Sequence, residues 1–265
     1  MNDVAPRAEA VSPIPVVAER PRLNRPGLLR TAWLLLLKDL LLEWRTRARM
    51  SALIFFAFAT LLLFSFAMGP DTKLLQKGAG GFLWLGILFA SVLSLGESFR
   101  IEAENSSLDG LRLIPADARA LFLAKAGGNA VLLILLSTVL LFPMFALYDV
   151  GAPIPANATD SEHAQLIFEF IFGLVKIIGL GCLAISAPGT IYAAIASNAR
   201  ARDVLLPVLL FPLLVPALLA AVKGTNLVLA GDPMNQLPSW LGLLLVFNLI
   251  YWGLGFVLFP RVIED

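Results

Sequence analysis

Charge is what this chain has least of: 15% of its residues are Asp, Glu, Lys or Arg, while 58% are apolar. Soluble globular chains carry nearer a quarter charged residues, so this one has too little polar surface to cover itself in water. Its basic residues are spread along the chain rather than gathered on one patch, and no nucleic-acid partner is expected. The single cysteine, Cys182, excludes an intrachain disulfide. The single histidine, His163, cannot close a structural zinc site with that cysteine unless carboxylates join them. No G-x-x-x-x-G-K-[ST] surrounds any of the six lysines, so the chain is not itself a P-loop ATPase. There is no H-E-x-x-H, and a Ser–His–Asp triad would have to use His163 in a flexible outer loop, so no enzyme is read here. Residues 1–27 hold five prolines and no apolar run of seven or more. They read as a disordered cytoplasmic tail rather than a signal peptide, too polar to repay the entropy of ordering.

What the chain does have is long apolar runs. Six are near the roughly 20 residues a membrane crossing needs: 51–69, 79–98, 127–148, 166–188, 204–222 and 239–259. They are continuously apolar rather than alternating, which excludes a barrel. The expected fold is an all-α integral membrane protein, with one transmembrane domain over 28–265. Its orientation follows from the basic residues. Sixteen of the twenty lie in the N-terminal segment, the second and fourth loops and the C-terminus, against Lys73, Lys77 and Lys223 on the other side. Both ends are therefore expected inside, in a bacterial cytoplasmic (inner) membrane. The third loop, 149–165, has no Lys or Arg and carries Asp149, Asp160 and Glu162, as an outer loop should.

Residues 31–49, TAWLLLLKDLLLEWRTRAR, are of another kind. At helical spacing Trp33, Leu36, Leu37, Leu40, Leu41 and Trp44 share one face, with Lys38, Asp39 and Arg45 opposite. That pattern predicts an amphipathic helix lying in the bilayer interface. A seventh span over 31–44 would have to bury Lys38, Asp39 and Glu43.

Prolines mark the later spans. Pro207, Pro212 and Pro216 predict a bent fifth span, and Pro188–Gly189 predicts an end or break in the fourth. Gly86, Ala90, Ser94 and Ser98 form a ridge of small residues that lets another helix approach, within the chain or from a second copy. Glu169 and Lys176 are the charged residues well inside a span. A lysine there costs about 3 kcal/mol, so Lys176 should face other helices or water. It can meet an anionic group such as a lipid phosphate. It can equally snorkel outward or pair with Glu169. His163 stands in a polar loop, where a lone histidine is usually solvated. Cys182 reads as packing.

The stretch from Phe99 to Lys125 is densely charged and rich in leucine. Ser106 or Ser107 can cap a short helix from Leu108 that Pro115 ends. Leu108, Leu111 and Arg112 then form a small amphipathic plug for a groove on a soluble partner. The plain alternative is a solvated loop. Asp117 can cap the turn into the third span.

The order of elements resembles an ABC-2-type permease, and more closely the CcmB family, the haem exporter permease of cytochrome c maturation. Three places carry the resemblance: Lys38-Asp-Leu-Leu-Leu-Glu-Trp-Arg45; Leu62-Leu-Phe-Ser-Phe-Ala-Met-Gly-Pro70 with Gly81-Phe-Leu-Trp-Leu85; and Ser94-Leu-Gly-Glu-Ser-Phe-Arg100 through Ser107-Leu-Asp-Gly-Leu111, Pro115 and Lys125. Asn105-Ser106 stands where relatives have Asp-Gly, and Asp109 where they have Glu. The resemblance covers about 28–260.

The resemblance implies a permease paired with a second copy of itself, each copy resting on a separate cytoplasmic ABC ATPase subunit that holds the ATP. Phe99, Arg100, Glu102, Glu104, Leu108, Asp109 and Leu111 would form the ATPase-coupling segment. Residues 197–203 would make a second contact or serve as plain basic anchors. Haem would be the cargo, and haem-handling membrane subunits further partners. Other readings are an ABC-2 permease for a lipid or polysaccharide, a secondary transporter, or a scaffold. A secondary transporter would call for inverted repeats, which the sequence does not display.

Overall fold

The structure is a computed structural model that describes residues 27–45, 48–69, 71–104, 117–155, 159–197 and 202–264. Seven α-helices make up the described residues, which contain no strand: α1 Leu28–Arg45, α2 Ala48–Met68, α3 Thr72–Glu104, α4 Ala118–Tyr148, α5 Asp160–Ser197, α6 Arg202–Ala230 and α7 Leu237–Glu264. Helices α2 to α7 are each long and apolar enough to cross a membrane. In lipid every backbone polar group must be satisfied within the protein, and a helix does so locally. The helices overrun the expected spans, because the 20-residue rule counts hydrocarbon thickness and not the turns beyond it. The tail 1–26 lies outside the described residues.

Side chains at the boundaries explain the helix starts. Asp71 accepts from the backbone N–H of Lys73 and Leu74 at 3.0 and 3.2 Å, opening α3. Asp117 caps α4 by accepting from the N–H of Arg119 at 2.9 Å. Thr159 and Glu162 form a capping box on α5, where the Glu162 carboxylate accepts from Thr159 N–H at 2.8 Å. Asp232 accepts from Gln236 and Leu237 N–H, at 2.9 and 2.8 Å, and opens α7.

Helix α3 is the centre of the bundle: 61% of its apolar window is buried, against 17–33% for the other five long helices. Trp84 is the anchor. Its ring lies where a Cβ on Gly181 of α5 would sit, and its indole N–H donates to Thr225 Oγ1 of α6 at 2.9 Å. Three helices thus meet on one side chain. The small-residue ridge on α3 turns inward: Gly86 lies against Ala57 of α2, so the ridge serves packing within the chain there. Helices α4 and α5 run antiparallel. Asn129 donates to Thr190 at 3.2 Å, and two turns on Ser137 Oγ lies 3.3 Å from Cys182 Sγ.

The expected break at Pro188–Gly189 does not occur, and α5 is continuous to Ser197. A proline loosens the hydrogen bonds of the preceding turn. Pro188 withholds only the bond to the carbonyl four residues back, that of Ala184, and in the same turn the Leu183 carbonyl accepts from Ser186 at 3.1 Å and from Trp252 of α7 at 3.2 Å, tying α5 to α7. Gly189 leaves the space that Leu95 of α3 fills. Likewise α6 runs through Pro207, Pro212 and Pro216.

Helix α1 is amphipathic in an inverted sense. Trp33, Leu37, Leu41 and Trp44 face outward, at 60, 37, 69 and 72% exposure. Ala32 is buried, and Asp39 and Glu43 turn toward the bundle. The sequence placed Asp39 on the face away from the helix's support. The structure turns it inward, where Lys125 of α4 is there to meet it.

Candidate functional site: a charged joint between α1, α2, α3 and α4

Two acids four residues apart share the inner face of α1. Asp39 meets Lys125 of α4 at 3.1 Å, with the Lys125 side chain 7% exposed. Asp39 also touches the more exposed Lys38 at 3.2 Å. Glu43 meets Arg49, in the first turn of α2, through Oε2 and Nη1 at 2.8 Å. The same guanidinium reaches α3, where its Nη2 donates to the Ser94 carbonyl at 2.7 Å and to Ser94 Oγ at 2.8 Å. Helix α1 also seats Leu36 against Gly127 of α4. Buried charges are tolerated only when paired and hydrogen-bonded. Here one acid serves α4, and the other serves α2 and through it α3.

The pairing is incomplete at two atoms. Glu43 Oε1 and Arg49 Nε are buried without a partner among the described residues. The guanidinium therefore contributes one corner to Glu43 and another to Ser94, rather than a two-point fork to either.

Sequence reasoning singled out other residues. Phe99, Arg100, Glu102 and Glu104 fall on the last turns of α3, just beyond Ser94. Leu108, Asp109 and Leu111 lie outside the described residues, as do residues 198–201 of the fourth loop. The joint was missed because Arg49 and Lys125 were counted only as loop charges. The available signal was a pair of acids on one face of a helix otherwise apolar.

Glu169 and Lys176 both lie on the outer surface of α5. Of the alternatives the sequence offered for Lys176, the structure has it exposed rather than packed between helices. Its ammonium lies 3.8 Å from the centre of the Phe172 ring, one turn toward the start of α5. Glu169 instead accepts weakly from Gln165 at 3.5 Å. The two do not pair, because seven residues span about 10 Å of helix. His163 belongs to the first turn of α5 and not to a loop, since its N–H closes a helical bond to the Thr159 carbonyl at 2.9 Å. Cys182 is packed in the core.

Comparison with known proteins gives one consistent answer. Residues 30–256 match the family described as CcmB protein. Heme exporter protein B of Pseudomonas aeruginosa is 32% identical over 209 residues, covering 78% of this chain and 86% of the relative. Its counterpart in Rhodobacter capsulatus is 32% identical over 197 residues, 74% of this chain and 82% of the relative. That of Paracoccus denitrificans is 31% identical over 204 residues, 77% of this chain and 86% of the relative. With six helices fit to cross a membrane and a family match along most of its length, this chain is a multi-pass membrane protein and belongs to the CcmB family.

Proposed function

We propose that this chain is the membrane permease subunit of an exporter complex serving cytochrome c maturation, with haem as the cargo and ATP hydrolysed on a separate cytoplasmic subunit. One observation carries the reading: relatives named Heme exporter protein B align with this chain over 82–86% of their own length.

The finer assignments follow. The chain sits in the bacterial inner membrane with both ends in the cytoplasm, as the distribution of basic residues supports. Helix α1 lies at the cytoplasmic interface, its exposed tryptophans among the headgroups. The end of α3 with the following segment, Phe99 to Leu111, receives the ATPase subunit. A second copy of the chain and haem-handling membrane subunits complete the assembly. The chain's part is conformational: ATP favours one packing of the spans over another, and it acts only so far as it binds the two unequally.

The test is purification of the tagged chain in native lipid from its own cells, with deletion of the chain in parallel. The reading expects an ATPase subunit in the complex and loss of c-type cytochromes on deletion. A chain that purifies without an ATPase, in cells whose c-type cytochromes survive its deletion, would overturn it.

A further inference from the structure

The two unpartnered atoms in the joint are a donor and an acceptor on residues that already touch. Arg49 holds Glu43 through Nη1 alone and spends Nη2 on Ser94, leaving its Nε and the Glu43 Oε1 without a partner among the described residues. A guanidinium offers a second edge, Nε with Nη2, that fits both oxygens of a carboxylate at once. Turning that edge onto Glu43 would satisfy both idle atoms and withdraw Nη2 from Ser94. That turn would take Nη1 off Glu43, so each arrangement leaves unused a guanidinium nitrogen that the other employs. Balanced alternatives of this kind make an element two-state.

We propose that Arg49 is a two-position latch between α1 and the end of α3, gripping Ser94 in the arrangement described and forking onto Glu43 in the other. Asp39 and Lys125 hold α1 to α4 in both positions, and so act as the pivot. The latch controls the last turns of α3, because Ser94 lies five residues before Phe99. Arg49, Glu43 and Ser94 are positioning residues, and they touch no cargo. Their service to transport rests on the functional reading above, whereas the existence of two positions does not.

The experiment places spin labels at Leu41→Cys on α1 and Leu93→Cys on α3, both exposed, in the full chain with its co-purifying subunits. Cys182 is buried and escapes labelling. The latch predicts two distance populations without nucleotide. Glu43→Gln weakens the fork and shifts the population toward the Ser94-gripping distance. Ser94→Ala removes one acceptor of the grip and shifts it the opposite way. Arg49→Lys reaches one partner at a time, keeps the charge, and merges the two populations into one, which serves if either other variant fails to fold. A single wild-type distance unmoved by these substitutions, or shifts of Glu43→Gln and Ser94→Ala in the same direction, would overturn the latch. Where an ATPase subunit is present, a non-hydrolysable ATP analogue changes the ratio of the two populations. Absence of that subunit counts against the functional reading alone, because the opposed shifts are read without nucleotide.

Discussion

Asp39 of α1 neutralises Lys125 of α4 across a helix contact, at 3.1 Å, with the lysine side chain 7% and the aspartate side chain 23% exposed. Helix α1 is thereby tied to the bundle by charge, while Trp33, Leu37, Leu41 and Trp44 stay exposed on its other side.

Breaking that pair should cost stability because it takes a carboxylate away from a buried cation. Removing one partner of a fully buried pair costs roughly 3–5 kcal/mol. With Asp39 partly exposed and touching Lys38 as well, Asp39→Asn is expected to cost about 2 kcal/mol. The exchanged pair Asp39→Lys with Lys125→Asp should recover most of it. Thermal unfolding of the purified protein, run as a double-mutant cycle, measures the coupling. Additive losses would mean that the two residues act separately.

Gly181 is required by its neighbour's ring rather than by its own backbone. A methyl group there occupies the place of the Trp84 ring and pulls the indole N–H off Thr225. Overpacking of this kind costs about 1–3 kcal/mol. Gly181→Ala should lower the unfolding temperature and change Trp84 fluorescence. Thr225→Val, which removes the hydroxyl that accepts from Trp84 and donates to the Ala221 carbonyl without adding bulk, should cost about 1 kcal/mol. Equal effects from the two would argue against the steric account.

Lys176 offers a cleaner separation of stability from function. It lies on an exposed face, over Phe172, and makes no ion pair among the described residues. An exposed cation–π contact is worth about 0.5–1 kcal/mol, and a lysine within a span costs more than that unless it reaches the interface. Lys176→Met is therefore expected to leave stability unchanged or slightly raised. A fall in c-type cytochrome content with stability intact would assign Lys176 to a ligand or a partner.

The coupling segment is tested directly. Leu108→Asp together with Leu111→Asp should release the ATPase subunit from the purified complex while the chain stays folded in the membrane. Helical content by circular dichroism checks the fold, and the mass of the complex checks the partner. An ATPase subunit retained at full stoichiometry would move the contact elsewhere.

Hydrophobic run length was enough to find the six long helices, since lipid allows a continuous apolar run of that size little choice but a helix. Asp117 as a cap was equally legible, because capping depends on neighbours three residues away. Pro188 was misread for the converse reason. Whether a proline breaks a membrane helix depends on how the neighbouring helices pack around it, here α7 through Trp252 at the Leu183 carbonyl and α3 through Leu95 at Gly189. The charged joint was invisible for the same cause: Arg49 and Ser94 are 45 residues apart, and Lys125 lies 86 from Asp39.

By itself the sequence determined that this chain lives in lipid, how many helices it can send across, and the family whose pattern it carries. Those properties are sums over local composition and spacing. Only the tertiary structure decided which face of α1 turns inward, that Trp84 fills the gap at Gly181, and that Arg49 divides itself between Glu43 and Ser94. The energy of a buried charge or a close-packed ring depends on what lies opposite it, and that neighbour is distant in the chain.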